Sequence, residues 1–274
     1  MSKLYLVATP IGNLEDLTYR AARVLKEVPL IAAEDTRTTR VLLDHYQIQT
    51  RLTAYHDHNK TSAASALLDH LKSADLALVS DAGTPAINDP GYYLVTAALE
   101  QGHEVVPVPG PSAPIAALSA SGLATDSFLY LGYLPRKSAA RQSLLQGAAD
   151  LPWTLVCLET PHRLLAALDD CQAALGDRRI AVARELTKIH EEIFRGKISQ
   201  ARGYFETGTI KGEITLVIAG KDSEDAWSED RLENVIRREL ASGQDSPSRL
   251  AKKLARESGW PRKRIYDLIQ DLDK

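Results

Sequence analysis

Polar and turn-forming residues directly follow a short apolar stretch in the first half of the chain. Leu76–Val79 is apolar, and Ser80–Pro85 continues it with the sequence Ser-Asp-Ala-Gly-Thr-Pro. The first stretch predicts a buried strand, and the second favours tight turns. Ligands of open α/β sheets bind at the carboxyl ends of strands. Asp81 could accept a hydrogen bond there from an ammonium or hydroxyl group, and Gly83 would let a ligand approach the backbone. The alternative is an ordinary loop after a strand.

Three further segments place turn-forming or charged residues after apolar stretches. These segments are Thr9–Leu14, Glu34–Arg37 and Pro109–Ala113. A helix rich in small residues is predicted after the third segment, and its N-terminus could bind a carboxylate. A dinucleotide-binding Rossmann domain needs three glycines in the first segment, where only Gly12 is present. The sequence therefore argues against a nicotinamide or flavin enzyme.

Two acids and an arginine stand together at the end of the second predicted strand. Glu34, Asp35 and Arg37 are costly to bury unless they pair with each other or with a ligand. Asp35 or Thr36 could instead cap the helix that follows, and this would leave Glu34 and Arg37 available for a function. A second polar cluster, His56–His58, has no third metal ligand nearby. A loop with a helix cap is favoured there over a metal site.

The composition is that of an ordinary globular protein with an uneven charge. The chain has 274 residues, of which 44% are hydrophobic and 25% charged, and its net charge is −3. Residues 247–264 carry +6, which leaves −9 on the rest. Such a local basic patch suggests a nucleic-acid partner better than the mean charge does. Cys157 and Cys171 lie in apolar surroundings and predict buried free thiols. With no signal peptide and no membrane-spanning stretch in the sequence, the expected location is the cytoplasm.

The alternation of strand-like and helix-like stretches from Leu4 to Ala219 is typical of the α/β class. Gly122–Asp126 resembles a hinge, so we predict two βα domains, over residues 1–122 and 123–222. Within them, helices are predicted at Asp16–Lys26, Pro90–Glu100 and Ile115–Ser121, and an edge strand at His190–Arg195.

A third, helical domain is predicted over residues 223–274. Asp222–Asp230 is polar and acidic and predicts a linker. The helices are expected at Arg231–Leu240, Ser248–Ser258 and Arg262–Leu272. This pattern resembles a helix-turn-helix of the nucleic-acid-binding kind, and the basic segment favours that interpretation. The alternative is a helical cap that only packs on the core.

Taken together, the motifs resemble those of a known family. In the first half they are Thr9-Pro-Ile-Gly-Asn-Leu, Ala33-Glu-Asp-Thr-Arg, Val79-Ser-Asp-Ala-Gly-Thr-Pro, Asn88-Asp-Pro-Gly and Pro109-Gly-Pro-Ser-Ala. In the second half they are Gly132-Tyr-Leu-Pro-Arg-Lys, Glu159-Thr-Pro-His-Arg, Ala183-Arg-Glu-Leu-Thr-Lys and Lys211-Gly-Glu-Ile-Thr-Leu-Val. The chain resembles the tetrapyrrole-methylase-like (class III) S-adenosylmethionine-dependent methyltransferases, and among them the ribosomal RNA small subunit methyltransferase I family. The likeness runs from Tyr5 to about Ala219 and is looser in the helical tail.

The resemblance implies methyl transfer from S-adenosylmethionine to the ribose 2′-hydroxyl of a decoding-centre cytidine in 16S ribosomal RNA. It also implies a homodimer, a cofactor cleft between the two α/β domains, and no metal or membrane. By similarity, the cofactor would contact Pro10, Gly12, Ser80, Asp81, Ala82, Gly83, Thr84, Pro85, Ser112, Ala113, Glu159, Glu213, Ile214 and Thr215. Related diphthine and tetrapyrrole methylases share these loops, which therefore identify the cofactor better than the acceptor.

A ribose hydroxyl is a weak nucleophile, so a base within hydrogen-bond reach would help. The candidates at strand ends are Glu34, Asp35 and Glu185. Neighbouring RNA phosphates would be held by basic residues in the cleft and the tail. These residues are Arg37, Arg136, Lys137, Arg141, Arg184, Lys188, Lys252, Arg262, Lys263 and Arg264.

Three alternatives remain at this stage. The charged residues could form salt bridges across the cleft. The acceptor could be a small molecule or a modified protein side chain, in which case the basic tail would not be needed. The chain could also be an RNA-binding module that keeps a cofactor fold without catalysis.

Overall fold

The computed structural model describes residues 2–89, 91–208, 210–221, 229–242 and 245–272, without the side chains of residues 241, 242 and 256. Contacts divide the chain into two compact units. One comprises Met1–Ala149 with Trp153–Ala219, and the other Asp150–Pro152 with Gly220–Lys274. The larger unit contains both sheets, and the boundary predicted at residue 122 between two α/β domains stays a prediction.

The first sheet is parallel throughout and has the strand order β3-β2-β4-β1-β5. Its strands are β1 (Lys3–Val7), β2 (Leu30–Ala33), β3 (Arg51–Ala54), β4 (Leu76–Val79) and β5 (Glu104–Val108). The helices of this half are α1 (Tyr19–Glu27), α2 (Thr36–His45), α3 (Lys60–Leu71), α4 (Tyr92–Glu100) and α5 (Ala113–Ala120). Every residue of β4 is buried, as expected for a central strand with helices on both faces.

The second sheet is mixed and has the order β6-β7-β10-β8-β9. Its strands are β6 (Phe128–Tyr133), β7 (Thr154–Glu159), β8 (Arg179–Arg184), β9 (Glu192–Lys197) and β10 (Ile214–Ile218). β6 runs parallel to β7, whereas β10 is antiparallel to both of its neighbours. The helices are α6 (Ser138–Gly147), α7 (Leu164–Leu175) and α8 (Ile198–Glu206).

Helix α5 joins the two sheets. It follows β5 of the first sheet but packs on β7 and β10 of the second. Ala117 and Leu118 contribute to one buried cluster with Val156, Ala181 and Val217. Burial of this apolar surface fixes the strand ends of one sheet against those of the other.

Several predicted boundaries shift for local reasons. The first helix begins at Tyr19 rather than Asp16 because Leu14–Asp16 forms a 3₁₀ turn and Thr18 caps the helix. The edge strand is β9, two residues later than predicted. The predicted cap at Asp35 is confirmed, since its carboxylate accepts the Arg37 N–H. Pro90 lies outside the described residues, and α4 begins at Tyr92.

The described residues of the smaller unit form three helices, α9 (Glu229–Ser242), α10 (Pro247–Ser258) and α11 (Arg262–Leu272). Their common core includes Leu232, Leu250 and Ile265. A left-handed Gly259 ends α10, as helix C-caps often do. The basic side chains predicted to meet RNA are exposed: Lys252, Arg262, Lys263 and Arg264. The predicted linker lies almost wholly outside the described residues.

Both cysteines are buried and unpaired with each other, so the predicted free thiols are confirmed. Within the described part of the chain, no helix has the length and apolar character needed to cross a bilayer.

Candidate active site

Strand-end loops of the first sheet are tied together by reciprocal hydrogen bonds. The backbones of Thr9 and Gly83 exchange two, with N···O distances of 2.9 and 3.0 Å. Asp81 N–H donates to the Glu34 carboxylate at 3.2 Å, and Asp35 N–H donates to the Asp81 carboxylate at 3.1 Å. The ends of β1, β2 and β4 thus form one continuous wall.

This wall faces residues of the second sheet across a cavity of about 250 Å³, which we call the acidic cavity. Its first-sheet side contains loop residues after β4 and β5, and its second-sheet side contains residues of β6, β7 and β10. The lining residues are Ile11, Glu34, Asp81, Ala82, Gly83, Thr84, Ile87, Asn88, Asp89, Ser112, Ala113, Pro114, Tyr130, Tyr133, Leu158, Glu213, Ile214 and Thr215.

A second cavity, of about 440 Å³, adjoins the acidic cavity, and we call it the α2 cavity. Four residues line both cavities: Ile11, Asp81, Ala82 and Glu213. The other residues of the α2 cavity are Thr9, Pro10, Gly12, Leu14, Thr38, Thr39, Val41, Leu42, Ser80 and Lys188. The two cavities therefore adjoin along these four residues, which we call the shared wall.

The structure brings together nearly all of the residues predicted to contact a cofactor. All of them line one or both cavities, except Pro85 and Glu159. Pro85 is buried. The Glu159 side chain is fully buried and forms an ion pair with Arg163 at 2.9 Å, while it also accepts the Thr160 N–H at 2.7 Å. Both oxygens of this carboxylate therefore have hydrogen-bond partners close to the end of the same strand, and Glu159 is not among the residues that line either cavity.

The acidic cavity holds carboxylates that burial makes harder to ionise. Burial raises the pKa of Glu34 and of Asp81, and it raises the pKa of Asp89 to about 6. Burial also raises the pKa of Tyr130 to about 12. Among the residues described along its wall, none is a lysine, arginine or histidine. The cavity is therefore electrostatically suited to a cationic group.

The three predicted bases have different surroundings. Asp35 binds Arg37 at 2.6 Å, and that hydrogen bond lowers the pKa of Asp35 to about 2. Glu185 binds Lys188 at 2.8 Å, and that hydrogen bond lowers its pKa. Glu34 lines the acidic cavity, and no lysine or arginine among the described residues pairs with it. Of the three carboxylates, Glu34 is the one whose pKa is raised, and burial is the main cause.

The basic residues predicted to hold RNA divide into exposed and buried members. The Arg37 side chain is 90% exposed, and Arg136 and Lys137 are also exposed. Lys188 lies on the wall of the α2 cavity. Arg184, half-buried, binds Glu192 at 2.7 Å.

For Arg141, the expectation of a phosphate contact is wrong. It is 3% exposed and binds Asp170 at 2.5 Å, with further donations to the carbonyls of Pro135 and Ala166. All of its hydrogen-bonding capacity is thus directed into the fold, away from any RNA surface.

Several cavity residues were absent from the prediction. Asp89 and Asn88 belong to the Asn-Asp-Pro-Gly motif, and Tyr133 belongs to the Gly-Tyr-Leu-Pro motif. Both motifs were visible in the sequence, but neither indicated a role for these three residues. Ala86 and Asn88 have φ of 68° and 62°, in the left-handed region that residues other than glycine seldom adopt. Strained residues of this kind often cluster at functional sites.

Gly132→Ala is expected to lower the free energy of unfolding by about 2 kcal/mol. Gly132 has φ of +65°, and an added Cβ would lie 2.5 Å from the Asn88 Nδ2 atom. The substitution therefore strains the backbone and also displaces the loop that carries Asp89. The control is Gly102→Ala, because Gly102 has φ of +80° and no atom within 4 Å of an added Cβ. Urea unfolding of both variants measures the difference between their free energies of unfolding. Equal losses would mean that the Asn88 side chain moves away from the added Cβ without lowering stability.

In the described residues, no cluster of histidine, cysteine and carboxylate side chains is arranged to hold a metal ion. His56 and His58 have ring centroids 6.0 Å apart. Asn59 instead organises this loop, accepting the His56 N–H at 2.8 Å.

Comparisons with known proteins define the class of this fold and cleft. The family model described as Tetrapyrrole (Corrin/Porphyrin) Methylases matches residues 3–202. A solved diphthine synthase superposes with a TM-score of 0.61 at 13% identity, covering 80% of this chain and 90% of that chain. Uroporphyrin-III C-methyl transferase from Thermus thermophilus, complexed with S-adenyl homocysteine, superposes with a TM-score of 0.57 at 21% identity, covering 80% and 98%. The predicted α/β fold class is confirmed.

Relatives that match this chain over nearly its full length show which branch of the class it belongs to. A Synechocystis protein named ribosomal RNA small subunit methyltransferase I is 50% identical over 277 residues, which cover 100% of this chain and 99% of the relative. A Bacillus subtilis protein of the same name is 41% identical over 274 residues, covering 97% and 94%. The chain therefore belongs to the tetrapyrrole methylase family, in the branch formed by ribosomal RNA small subunit methyltransferase I, and the resemblance read from its motifs is confirmed.

Proposed function

We propose that this chain transfers a methyl group from S-adenosylmethionine to the ribose 2′-hydroxyl of a decoding-centre cytidine in 16S ribosomal RNA. The names of its full-length relatives support ribosomal RNA methylation. The observation that carries the cofactor assignment is the acidic cavity, because four carboxylates line it without a basic residue among its described neighbours.

The residues present fit S-adenosylmethionine. That molecule carries a sulfonium and an ammonium group, and Glu34, Asp81, Asp89 and Glu213 supply the opposite charge. Gly83, with φ of 79°, holds the same wall in a left-handed backbone conformation that favours glycine, and its N–H and C=O are paired with Thr9. A structural neighbour bound to S-adenyl homocysteine supports the same choice of cofactor. When bound, S-adenosylmethionine supplies an electrophilic methyl group.

This chain's own residues would position and deprotonate the acceptor. Glu34 accepts the Asp81 N–H with one oxygen, so its carboxylate is held against the wall shared by the two cavities. From there it would orient the 2′-hydroxyl and take its proton. Arg37 and Lys188 would hold neighbouring phosphates.

The remaining functional expectations also belong to this proposal. The exposed basic residues of α10 and α11 would bind ribosomal RNA. The enzyme would act as a homodimer in the cytoplasm and require no metal.

The test is to incubate the protein with labelled S-adenosylmethionine and small ribosomal subunits from cells that lack this gene. Nuclease digestion and mass spectrometry then locate the methyl group. The expected product is a 2′-O-methylcytidine in the decoding centre. Cofactor binding without RNA methylation would instead point to a small-molecule or protein acceptor, and absence of cofactor binding would refute the assignment of the acidic cavity.

Asp89→Asn is expected to weaken cofactor binding yet raise the free energy of unfolding at neutral pH by about 1 kcal/mol, after allowance for solvent screening. Burial raises the pKa of Asp89 from 3.8 to about 6, so the native state binds this proton more tightly than the unfolded chain does. The stabilisation from protonation is therefore complete below pH 3.8 and lost as pH rises through about 6. Asparagine avoids the cost of the buried charge at every pH.

Cofactor affinity has the opposite dependence on pH. Wild-type affinity should fall as pH drops from about 8 to about 5, because Asp89 loses its charge, and the variant should lack the part of that fall centred near 6. Equilibrium dialysis measures both profiles, with Asp126→Asn at an exposed position as the control. Unaltered affinity in Asp89→Asn would remove Asp89 from the cofactor site.

A further inference from the structure

The cofactor assignment rests on the acidic cavity, and the adjoining α2 cavity still has no assigned occupant, although Pro10, Gly12 and Ser80 on its wall were predicted to contact the cofactor. Its volume of about 440 Å³ lies within the range of about 300–1,000 Å³ that small-molecule sites occupy. We infer that this cavity receives a single unpaired nucleotide of the RNA, extruded from its strand so that its ribose reaches the shared wall. The inference rests on the proposed function and adds where the acceptor binds.

The position of the cavity supports this occupant. In-line displacement requires the acceptor oxygen and the methyl donor to meet across a short distance. Asp81 and Ala82 line both cavities, so groups bound in the two adjoining cavities would approach each other there. An acceptor that reacts inside a cleft cannot remain stacked in a helix, which is why enzymes of this kind extrude the target nucleotide.

The walls of the α2 cavity suit a nucleotide. Leu14, Val41 and Leu42 provide apolar surface for one face of a base. Thr38, which is exposed, lies on the same wall, and a threonine hydroxyl can hydrogen-bond with base edges or a ribose.

Positive charge lies where the connected phosphates would pass. Lys188 lines the cavity, and its ammonium group is held by Glu185 at 2.8 Å and Glu213 at 3.5 Å. Arg37, one residue before Thr38 on α2, has a 90% exposed side chain. Both cations already pair with carboxylates, Arg37 with Asp35 and Lys188 with Glu185 and Glu213, so a phosphate would share them with these partners. An apolar pocket with cations near its edge suits an unstacked base attached to a phosphate backbone.

Val41→Trp tests the inference because Val41 lines this cavity, is not among the described residues of the acidic cavity, and is 64% exposed. An indole at this position would fill the pocket from its open side without disturbing the core. We expect methyl transfer to small subunits to fall at least about tenfold, while the dissociation constant of S-adenosylmethionine changes less than about twofold. Thr38→Trp, which enters the same cavity from another position, should behave alike.

The matched control is Leu99→Trp, an equally large change at a 55% exposed position of α4 that lines neither cavity. It should leave both transfer and cofactor binding unchanged. Full transfer by both cavity-filling variants would overturn the inference and leave the proposed function intact. Loss of cofactor binding in these variants would also overturn it, because the cavity would then belong to the cofactor. If wild-type protein transfers no methyl group to RNA, the proposed function and the inference fail together.

Discussion

Arg141→Ala is expected to lower the free energy of unfolding by about 3 kcal/mol. The guanidinium Nε donates to the Asp170 carboxylate at 2.7 Å, and the Asp170 side chain is only 9% exposed. Removing the cation would leave a buried negative charge with only Ser138 and Gln142 as donors, at 2.8 and 2.6 Å. It would also remove one donor from each of the carbonyls of Pro135 and Ala166, the first of which still accepts a hydrogen bond from Arg163. Urea unfolding monitored by circular dichroism measures this loss.

Two comparisons separate this burial effect from a role in RNA binding. Arg136→Ala, at an exposed position nearby, should change stability by less than about 0.5 kcal/mol. The double variant Arg141→Met with Asp170→Leu should recover much of the lost stability, because apolar residues can replace a buried ion pair at little cost. If Arg141→Ala unfolds at the wild-type urea concentration, the ion pair makes no net contribution to the fold.

Where structure is decided locally, it could be predicted from the sequence. The apolar stretch before Ser80 is a fully buried strand, and Asp35 caps α2 as its position before a helical segment suggested. The ligand-facing loops could also be predicted, because strand ends of a parallel sheet gather at one edge. These features depend on residues within a few positions of each other.

Features that depend on distant partners could not be predicted in this way. Arg141 is buried because Asp170, 29 residues later, lies beside it. Asp89 lines the acidic cavity because a left-handed Asn88 lies against Gly132 of the other sheet. The pairing of Glu159 with Arg163 is different, since their spacing of four residues offered a local signal for a salt bridge.

The division of the cleft into two cavities also depends on tertiary structure. Gly12 approaches the second half so closely that an added Cβ would lie 2.5 Å from the Lys188 Cγ atom. Nothing in the loop sequence around Gly12 specifies this partner. The contact brings Lys188 onto a wall otherwise built mainly from the first half, and Lys188 is the one cation among the described residues that line the α2 cavity.

Glu34→Gln is expected to lower the turnover number for methyl transfer by about 100-fold, the lower range for loss of a general base. Glutamine keeps a carbonyl oxygen that can still accept the Asp81 N–H, so the wall of the cavity should stay intact. Because burial raises the pKa of Glu34, wild-type turnover should increase with pH as this carboxyl ionises. The variant should lack that part of the pH profile. Single-turnover transfer of labelled methyl groups to small subunits, measured across pH, would show both effects.

The matched comparison is Glu185→Gln, because Glu185 was an equal candidate from sequence but is held by Lys188 at 2.8 Å. That ion pair favours its charged form and lowers its pKa, which makes it a weaker base than Glu34. We therefore expect Glu185→Gln to alter the binding of RNA through Lys188 more than turnover at saturating subunits. Full turnover in Glu34→Gln with normal cofactor and RNA binding would contradict its role as base. A larger loss of turnover in Glu185→Gln would move that role across the cleft to the second sheet.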